Sequence, residues 1–210
     1  MIDCAVLVAI GVSLTGHRHV LGVSVSLSEA EVHWREFMKG LQQRGLHGIK
    51  QITSDSHKGI KAALKAVFPG IQWQRCQFHL QQNAQAYVPK QDMKEAVGQD
   101  IRKIFNCGDR AEANRLLTLA VEKYAKAAPK LSEWMEINIP EGLTIFELPE
   151  AHRKRLRTSN PLERVNKEIK RRTRVATIFP SEESCLRLVS AILMEISEEW
   201  ETGKAYLAMN

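Results

Sequence analysis

Residues 49–78 run IKQITSDSHKGIKAALKAVFPGIQWQRCQF and predict a strand, a helix and a second strand. The first strand is short, covers residues 49–53 and ends just before Asp55. Apolar residues then recur at helical spacing until Pro69-Gly70 interrupts them, and residues 71–78 follow as another strand. Strands that alternate with helices in this way are typical of the α/β class.

Upstream of this stretch, the sequence predicts a β-hairpin followed by a helix. Residues 5–14 are apolar and β-rich, Thr15-Gly16 forms a turn, and residues 20–27 alternate, which favours an antiparallel pair. Ser28 with Glu31 three residues later makes a capping-box pattern, and Gly45 marks the end of the helix that follows.

Downstream of residue 80, the β pattern gives way to helices. Residues 80–131 carry apolar side chains that suit helices, which indicates a helical insertion. Asn160-Pro161 supplies a capping residue and a proline at the first helical position, and the last helix begins at Ser181. We therefore expect residues 1–80 to begin an α/β domain, residues 81–150 to form the insertion, and residues 151–210 to complete the domain with helices.

The positive charge of the chain is concentrated in one segment. The 210 residues carry a net charge of +6, yet residues 152–175 hold ten bases and only two acids. A concentrated surplus is typical of a surface that binds a polyphosphate such as DNA, and a solvated helix face is the alternative. The ten candidate DNA-binding residues are Arg153, Lys154, Arg155, Arg157, Arg164, Lys167, Lys170, Arg171, Arg172 and Arg174.

The composition excludes several classes of protein. With 44% hydrophobic and 26% charged residues, the chain is typical of a globular domain and not of a disordered tail. The longest apolar run, residues 4–12, is far shorter than a membrane span, and no signal-peptide pattern precedes it. The four cysteines are widely separated, which favours reduced thiols. We therefore expect a cytoplasmic protein without a membrane partner.

Two carboxylates are candidate site residues, and each has a purely structural alternative. Asp55 lies where a strand gives way to a helix, a position at which catalytic groups collect, but it is also a good helix cap. Glu163 fits a capping box after Asn160. It is also one of only two acids among ten bases. Its negative carboxylate would repel the phosphates of a DNA backbone bound to those bases unless a divalent metal ion lay between them. Lys170, about 10 Å along the same helix face, would then hold a phosphate beside the metal.

Cys76 and His79 form a C-x-x-H pattern with two candidate zinc ligands. A structural zinc site needs four ligands, and the sequence holds no second pair at zinc-like spacing. A buried cysteine and a hydrogen-bonded histidine that position their neighbours are therefore the favoured interpretation. Trp134 lies in a proline-bounded region off any clear apolar stripe, so both base stacking and packing are open to it.

Six segments carry a family likeness through their order and spacing: AVLVAIGV (residues 5–12), Ser54-Asp55, CQFH (residues 76–79), TSNPLERVN (residues 158–166), FPSEE (residues 179–183) and Trp200. Together they resemble the Mutator-type transposases of bacterial insertion sequences, which are DDE transposases. The likeness covers essentially the whole chain. It implies an enzyme that binds DNA and cleaves and transfers DNA strands in transposition and recombination.

The resemblance also implies a fold and a site. The fold would be ribonuclease-H-like, a mixed sheet flanked by helices and interrupted by a helical insertion. Asp55 and Glu163 would be catalytic residues and metal ligands in an Asp, Asp, Glu triad that holds two Mg²⁺ or Mn²⁺ ions. Cys76 and His79 match the family signature, Lys170 matches its basic residue, and Glu168 is the weaker acidic candidate. The implied partners are DNA at the element ends and target, further transposase subunits, and the nucleoid.

Two parts of the family pattern are not found in this sequence. One is an N-terminal helical DNA-binding region, and the other is the strand with the first catalytic Asp, which would precede residues 5–12. Asp3 is the acid nearest to that position. We therefore expect a truncated form of a transposase, and the alternative function is a non-catalytic DNA-binding or interaction protein derived from one.

Overall fold

A computed structural model describes residues 4–176 and 178–209 of the chain. In the described part, strands and helices follow in this order: β1 (Ala5–Val12), β2 (Arg18–Ser26), α1 (Glu31–Gln43), β3 (Gln51–Ser54), α2 (Lys58–Val67), β4 (Gln72–Arg75), α3 (Gln77–Ala84), α4 (Met93–Asn106), α5 (Arg110–Tyr124), α6 (Pro129–Asn138), α7 (Glu150–Leu156), α8 (Asn160–Thr173) and α9 (Glu182–Thr202). The predicted mixed α/β class is confirmed. Asp3 lies outside the described residues.

The chain divides into two compact units, which are described separately. The first unit comprises the described residues within 1–50, 56–71 and 160–210, and the second comprises residues 51–55 and 72–159. The first unit therefore contains β1, β2, α1, α2, α8 and α9, and the second contains β3, β4 and α3 to α7.

The first unit is built on the predicted hairpin. β1 and β2 pair in antiparallel register from Ala5 opposite Ser26 to Val12 opposite Arg18, with a bulge at Leu21. The turn between them needs Gly16, because its φ of 82° disfavours side chains and a Cβ there would lie 2.1 Å from the Leu207 carbonyl oxygen.

Helices cover both faces of this hairpin. Because side chains alternate along a strand, Leu7 faces one side and packs with Phe37 of α1, while Val8 faces the other and packs with Val165 of α8 and Val189 of α9. The hairpin is thus the middle layer of a helix–sheet–helix arrangement, and burial of apolar area on both faces stabilises it.

The predicted capping box at the start of α1 is wrong. The helix begins at Glu31, and its N-cap, Ala30, makes no side-chain cap hydrogen bond. The Ser28 hydroxyl instead accepts a hydrogen bond from the nearby Ala30 amide at 3.3 Å, which forms a local turn before the helix. The predicted helix end at Gly45 is confirmed, since α1 stops at Gln43 and Gly45 has a φ of 95°.

The second unit combines a short parallel strand pair with a helical core. β3 and β4 pair in parallel register from Gln51 opposite Gln72 to Ser54 opposite Arg75. The side chains that fill the core come from α3, α4, α5, α6 and the turns that follow α6, and those with no exposed area include Leu80, Val97, Ile101, Ala113, Leu131, Met135, Ile139 and Leu143. Their helical spacing matches the pattern from which these helices were predicted.

The strand predicted over residues 71–78 is too long. β4 ends at Arg75 and α3 begins at Gln77, so the C-x-x-H segment opens a helix. The ladder stops after Cys76, because the Gln77 amide donates to the Arg157 carbonyl at 3.0 Å and the Cys76 carbonyl accepts the first helical hydrogen bond, from the Leu80 amide at 3.0 Å. Arg157 lies 80 residues away, so the local pattern did not reveal this end.

Two expectations about architecture stay predictions. Among the described residues, β1 pairs with β2 and β3 pairs with β4, which neither establishes nor excludes one ribonuclease-H-like sheet. The division at residues 80 and 150 is likewise untested. Within the described part of the chain, none of the helices combines the length and apolarity needed to cross a membrane.

Candidate functional site

Asp55 and Cys76 lie at the same end of the parallel strand pair in the second unit. Asp55 follows the last residue of β3 and Cys76 follows the last residue of β4, and these last residues, Ser54 and Arg75, are in register. The Cys76 amide donates to the Ser54 carbonyl at 2.7 Å, which extends the ladder by one step. Asp55 is exposed and Cys76 is fully buried. This is the strand end at which α/β proteins place ligand-binding groups.

The Cys76 sulfur acts as a hydrogen-bond acceptor. It accepts from the backbone amide of Ser159 at 3.4 Å and from the Ser159 hydroxyl at 3.3 Å. His79 lies in the first turn of α3, is half-buried, and packs edge-on against Phe78 with ring centroids 5.6 Å apart. These contacts support the interpretation of Cys76 as a buried residue that positions a neighbour.

The segment that contains Ser159 is bound to both strand ends. The Thr53 hydroxyl donates to the Leu156 carbonyl at 2.8 Å, and the Gln77 amide donates to the Arg157 carbonyl at 3.0 Å. Sequence reasoning missed this anchoring because its partners are 80 to 103 residues apart and mostly backbone atoms, which leave no side-chain pattern.

Glu163 belongs to the first unit, where it lies in the first turn of α8 and is half-buried. A carboxylate in the first turn of a helix interacts favourably with the helix dipole, so a structural role and a ligand role both remain open. Lys167 and Lys170 follow at one and two helical turns, which places them on the same side of the helix. Asp55 and Glu163 are thus presented by different units.

Two of the ten candidate DNA-binding bases form hydrogen bonds with other residues of the second unit. The Arg153 guanidinium donates to the carbonyls of Leu148, Gly108 and Phe146 at 2.9, 2.7 and 3.2 Å. The Arg157 guanidinium donates to the Asn106 side chain at 2.6 Å. The guanidinium N–H groups of Arg153 and Arg157 therefore bond to acceptors within the protein, which gives these two arginines a structural role.

Arg171 and Arg172 are paired with acids in the first unit. Both donate to Glu168, Arg171 at 2.9 and 2.7 Å and Arg172 at 2.7 Å, and Arg172 also bonds Glu195 of α9. Hydrogen bonds from Arg171 and then Arg172 lower the pKa of Glu168 from 4.5 to about 2. Glu168 is therefore engaged with arginines.

The outward side of α8 is a basic face. Val165 and Ile169 are buried against the hairpin, and the bases lie on the opposite side of the helix at helical spacing. We name as the α8 basic face the exposed residues Arg164, Lys167, Lys170, Arg171 and Arg174. Four of them, all but Arg171, have no ion pair with any residue that the structure describes. Lys154 and Arg155 are also exposed, but they belong to the second unit.

Trp134 has a packing role. Its side chain is only 8% exposed, and its ring stacks on Tyr87 with centroids 5.4 Å apart. The Arg75 guanidinium lies 5.9 Å from the Trp134 ring centroid and donates to Glu141 at 3.0 Å. A ring enclosed in this way offers no face for base stacking, so the packing alternative is the correct one.

Comparison with known proteins identifies relatives along the whole chain. Residues 1–203 match the family described as "Transposase, Mutator family". The chain is 55% identical over 210 residues to the transposase for insertion sequence element IS406 of Burkholderia multivorans, covering 100% of this chain and 54% of the relative. It is 39% identical to the transposase for ISRM5 of Rhizobium meliloti, covering 98% of this chain and 52% of the relative.

A more distant relative agrees. The transposase for IS256 in transposon Tn4001 of Staphylococcus aureus is 33% identical over 199 residues, covering 92% of this chain and 50% of that relative. The chain thus spans about half the length of the curated relatives it matches. On these matches the resemblance predicted from the sequence is confirmed, and the chain belongs to the Mutator family of transposases.

Proposed function

We propose that this chain carries part of the catalytic machinery of an insertion-sequence transposase, which binds DNA and cleaves and transfers its strands. The observation that carries the proposal is Asp55, an exposed carboxylate at the end of a parallel strand pair in a chain of the Mutator family. The proposed fold of the complete protein around it is ribonuclease-H-like. The domain division at residues 80 and 150 belongs to the same proposal.

The donors of the proposed metal site fit Mg²⁺ or Mn²⁺. Asp55 is exposed and Glu163 is half-buried, and each offers the hard carboxylate oxygens that these ions prefer. A buried sulfur that already accepts two hydrogen bonds, as Cys76 does, is not such a ligand. Divalent ions held by Asp55, Glu163 and a further carboxylate would activate a hydroxyl nucleophile and stabilise the leaving oxygen at a DNA phosphodiester.

The α8 basic face provides the proposed DNA contacts. From Arg164 to Arg174 it extends about 15 Å, since each residue adds about 1.5 Å along a helix. Along the axis of a duplex, that length spans about four phosphates of one strand at about 3.4 Å each, and exposed lysine and arginine side chains reach phosphates on either side. Because Glu163 lies beside Lys167 and Lys170 on α8, the face would hold a DNA backbone next to the proposed catalytic carboxylate.

The same chemistry suggests partners and a place of action. Phosphate contacts carry little sequence information, so recognition of the element ends would come from another part of a complete transposase. Two ends must be joined, so we expect a homo-oligomer or association with an intact transposase. A protein that acts on bacterial chromosomal DNA works in the cytoplasm, at the nucleoid.

The experiment compares Asp55→Asn and Glu163→Gln with the unchanged chain. Bound Mn²⁺ is measured from the paramagnetic resonance signal of the free ion, and nicking of supercoiled plasmid is measured with Mg²⁺. We expect each variant to bind Mn²⁺ at least tenfold more weakly and to keep its affinity for DNA, and we expect any Mg²⁺-dependent nicking by the unchanged chain to be lost. Asp92→Asn is the control for Asp55→Asn, because it removes another exposed carboxylate of the second unit. Glu168→Gln is the control for Glu163→Gln, because it removes an arginine-paired carboxylate of the first unit.

The outcomes separate the two candidate functions. Equal Mn²⁺ binding and equal nicking by the chain and both variants would refute the assignment of Asp55 and Glu163. DNA binding without any Mn²⁺-dependent difference would instead support a non-catalytic DNA-binding protein derived from a transposase.

A further inference from the structure

Cys4 belongs to the side of the hairpin that faces α8 and α9. Val6 and Val8 pack in the cluster formed with these helices, whereas Ala5 and Leu7 pack in the cluster formed with α1. Since side chains alternate along an extended strand, Cys4, which directly precedes β1, lies on the side of Val6 and Val8. The Cys4 thiol is free and exposed.

Cys185 lies at the same end of the hairpin. The amide of Val20, near the start of β2, donates to the Ser197 hydroxyl of α9 at 3.1 Å, and the His19 ring bonds Glu201, one turn further along α9, at 2.9 Å. Since the earlier strand residue meets the later helix residue, α9 runs antiparallel to β2. From Ser197 back to Cys185 the helix covers about 18 Å, and from Val20 to Ser26 the strand covers about 20 Å. The first turn of α9 is therefore level with Ser26, which pairs with Ala5 at the beginning of β1.

The electrostatics of the two thiols agree with this placement. Cys185 is half-buried in the first turn of α9 and packs against the same cluster as Val6. Burial raises the pKa of the Cys185 thiol, and the negative charge of the neighbouring Cys4 thiolate raises it further. Both thiols are free in the structure.

We propose that Cys4 and Cys185 form an oxidisable thiol pair that closes into a disulfide by exchange with a small-molecule disulfide such as oxidised glutathione. The exposed Cys4 thiolate attacks one glutathione sulfur, forms a mixed disulfide and releases one glutathione thiolate. The Cys185 thiolate then attacks the Cys4 sulfur, and the second glutathione leaves as a thiolate. The protein loses two electrons and two thiol protons, and one glutathione disulfide is reduced to two glutathione molecules.

Closure would join the beginning of β1 covalently to the first turn of α9. In a reducing cytosol such a bond forms only transiently, under oxidising conditions. It would restrain the strand end of the first unit when the cell is under oxidative stress. This inference is independent of DNA cleavage and of the metal site.

The test is peptide mapping after equilibration with defined ratios of reduced to oxidised glutathione. After acid quenching and alkylation of free thiols, trypsin releases Cys4 in residues 1–18 and Cys185 in residues 175–187. We expect these peptides to appear as one linked species, two hydrogens lighter than their sum. Cys4→Ser and Cys185→Ser each remove the linked species. Cys107→Ser, which removes another half-buried thiol with a pKa raised by burial, leaves it unchanged.

A second readout guards against unspecific oxidation. A non-reducing gel and the free-thiol count show whether two thiols are lost within one chain. Retention of all four thiols, linkage of Cys4 to Cys107, or disulfide-linked dimers in place of the internal bond would each overturn the proposal.

Discussion

Neutralising two bases of the α8 basic face gives the most direct test of its role in DNA binding. Arg164→Gln with Lys167→Gln removes two exposed charges that have no ion pair among the described residues. Each lost phosphate contact lowers the slope of log affinity against log salt concentration by about 0.9, so the double variant loses about 1.8. At 0.1 M salt this corresponds to a loss of affinity of about sixtyfold.

Fluorescence anisotropy with a labelled mixed-sequence duplex measures the affinity and its dependence on salt concentration between about 0.05 and 0.3 M KCl. The fold is preserved because Val165 and Ile169, which anchor α8, are unchanged, and circular dichroism checks this. Lys126→Gln with Lys130→Gln is the matched control, since it removes two exposed charges from the second unit. An equal decrease of slope in both variants would refute the view that DNA binding is concentrated on α8.

Three further predictions concern stability. Ile101→Ala, at a fully buried position, should lower the free energy of unfolding by about 2–5 kcal/mol in urea titrations, whereas the half-exposed Leu119→Ala should change it far less; equal losses would contradict the assigned core. Gln74→Ala should cost about 1–3 kcal/mol, because the Ile145 amide loses its buried acceptor, and an unchanged unfolding midpoint would count against this hydrogen bond. Glu168 has a pKa lowered from 4.5 to about 2, so its ion pairs stabilise the fold above about pH 4.5 and lose this effect as the pH falls toward 2. Glu168→Gln should therefore lower the thermal midpoint at pH 7 and lower it far less at pH 2, where Glu168 is about half protonated, and an equal difference at both pH values would contradict the pairing.

Local patterns in the sequence predicted most of the fold. The hairpin, α2 and the end of α1 each depend on residues within a few positions, such as Gly45 and Pro69-Gly70, which act through the backbone alone. One error arose from a distant partner: the Gln77 amide bonds the Arg157 carbonyl 80 residues later, so the chain leaves the strand before residue 78. The other error was local, because the Ser28 hydroxyl accepts from the Ala30 amide two residues later instead of capping a helix.

The sequence predicted where the candidate site lies in the fold better than it predicted which residues contact one another there. The strand-to-helix transition after residues 49–53 placed Asp55 at a strand end, and the parallel register of β3 and β4 then brought Cys76 beside it. The bond from Ser159 to the Cys76 sulfur was not predictable, because nothing in either local sequence marks a partner 83 residues away. The family likeness supplied the roles proposed for Asp55 and Glu163, which no spacing in the sequence alone would have given.

A count of basic residues overstates the charge that is available to DNA. If all ten bases of residues 152–175 met phosphates, the salt slope of the chain would be about −9. The donors of Arg153 and Arg157 satisfy protein acceptors, and Arg171 and Arg172 share Glu168. Arg164, Lys167, Lys170 and Arg174, with the exposed Lys154, have no ion pair among the described residues and can replace counterions directly.

The four bases of the α8 basic face without an ion pair among the described residues would give a slope of about −3.6, and a further contact from the exposed Lys154 of α7 would steepen it by about one unit. We therefore expect a measured slope of about −4 to −5. A slope near −9 would mean that the bound arginines exchange their protein partners for phosphates, and the structural assignment of those four side chains would then fail in the DNA complex.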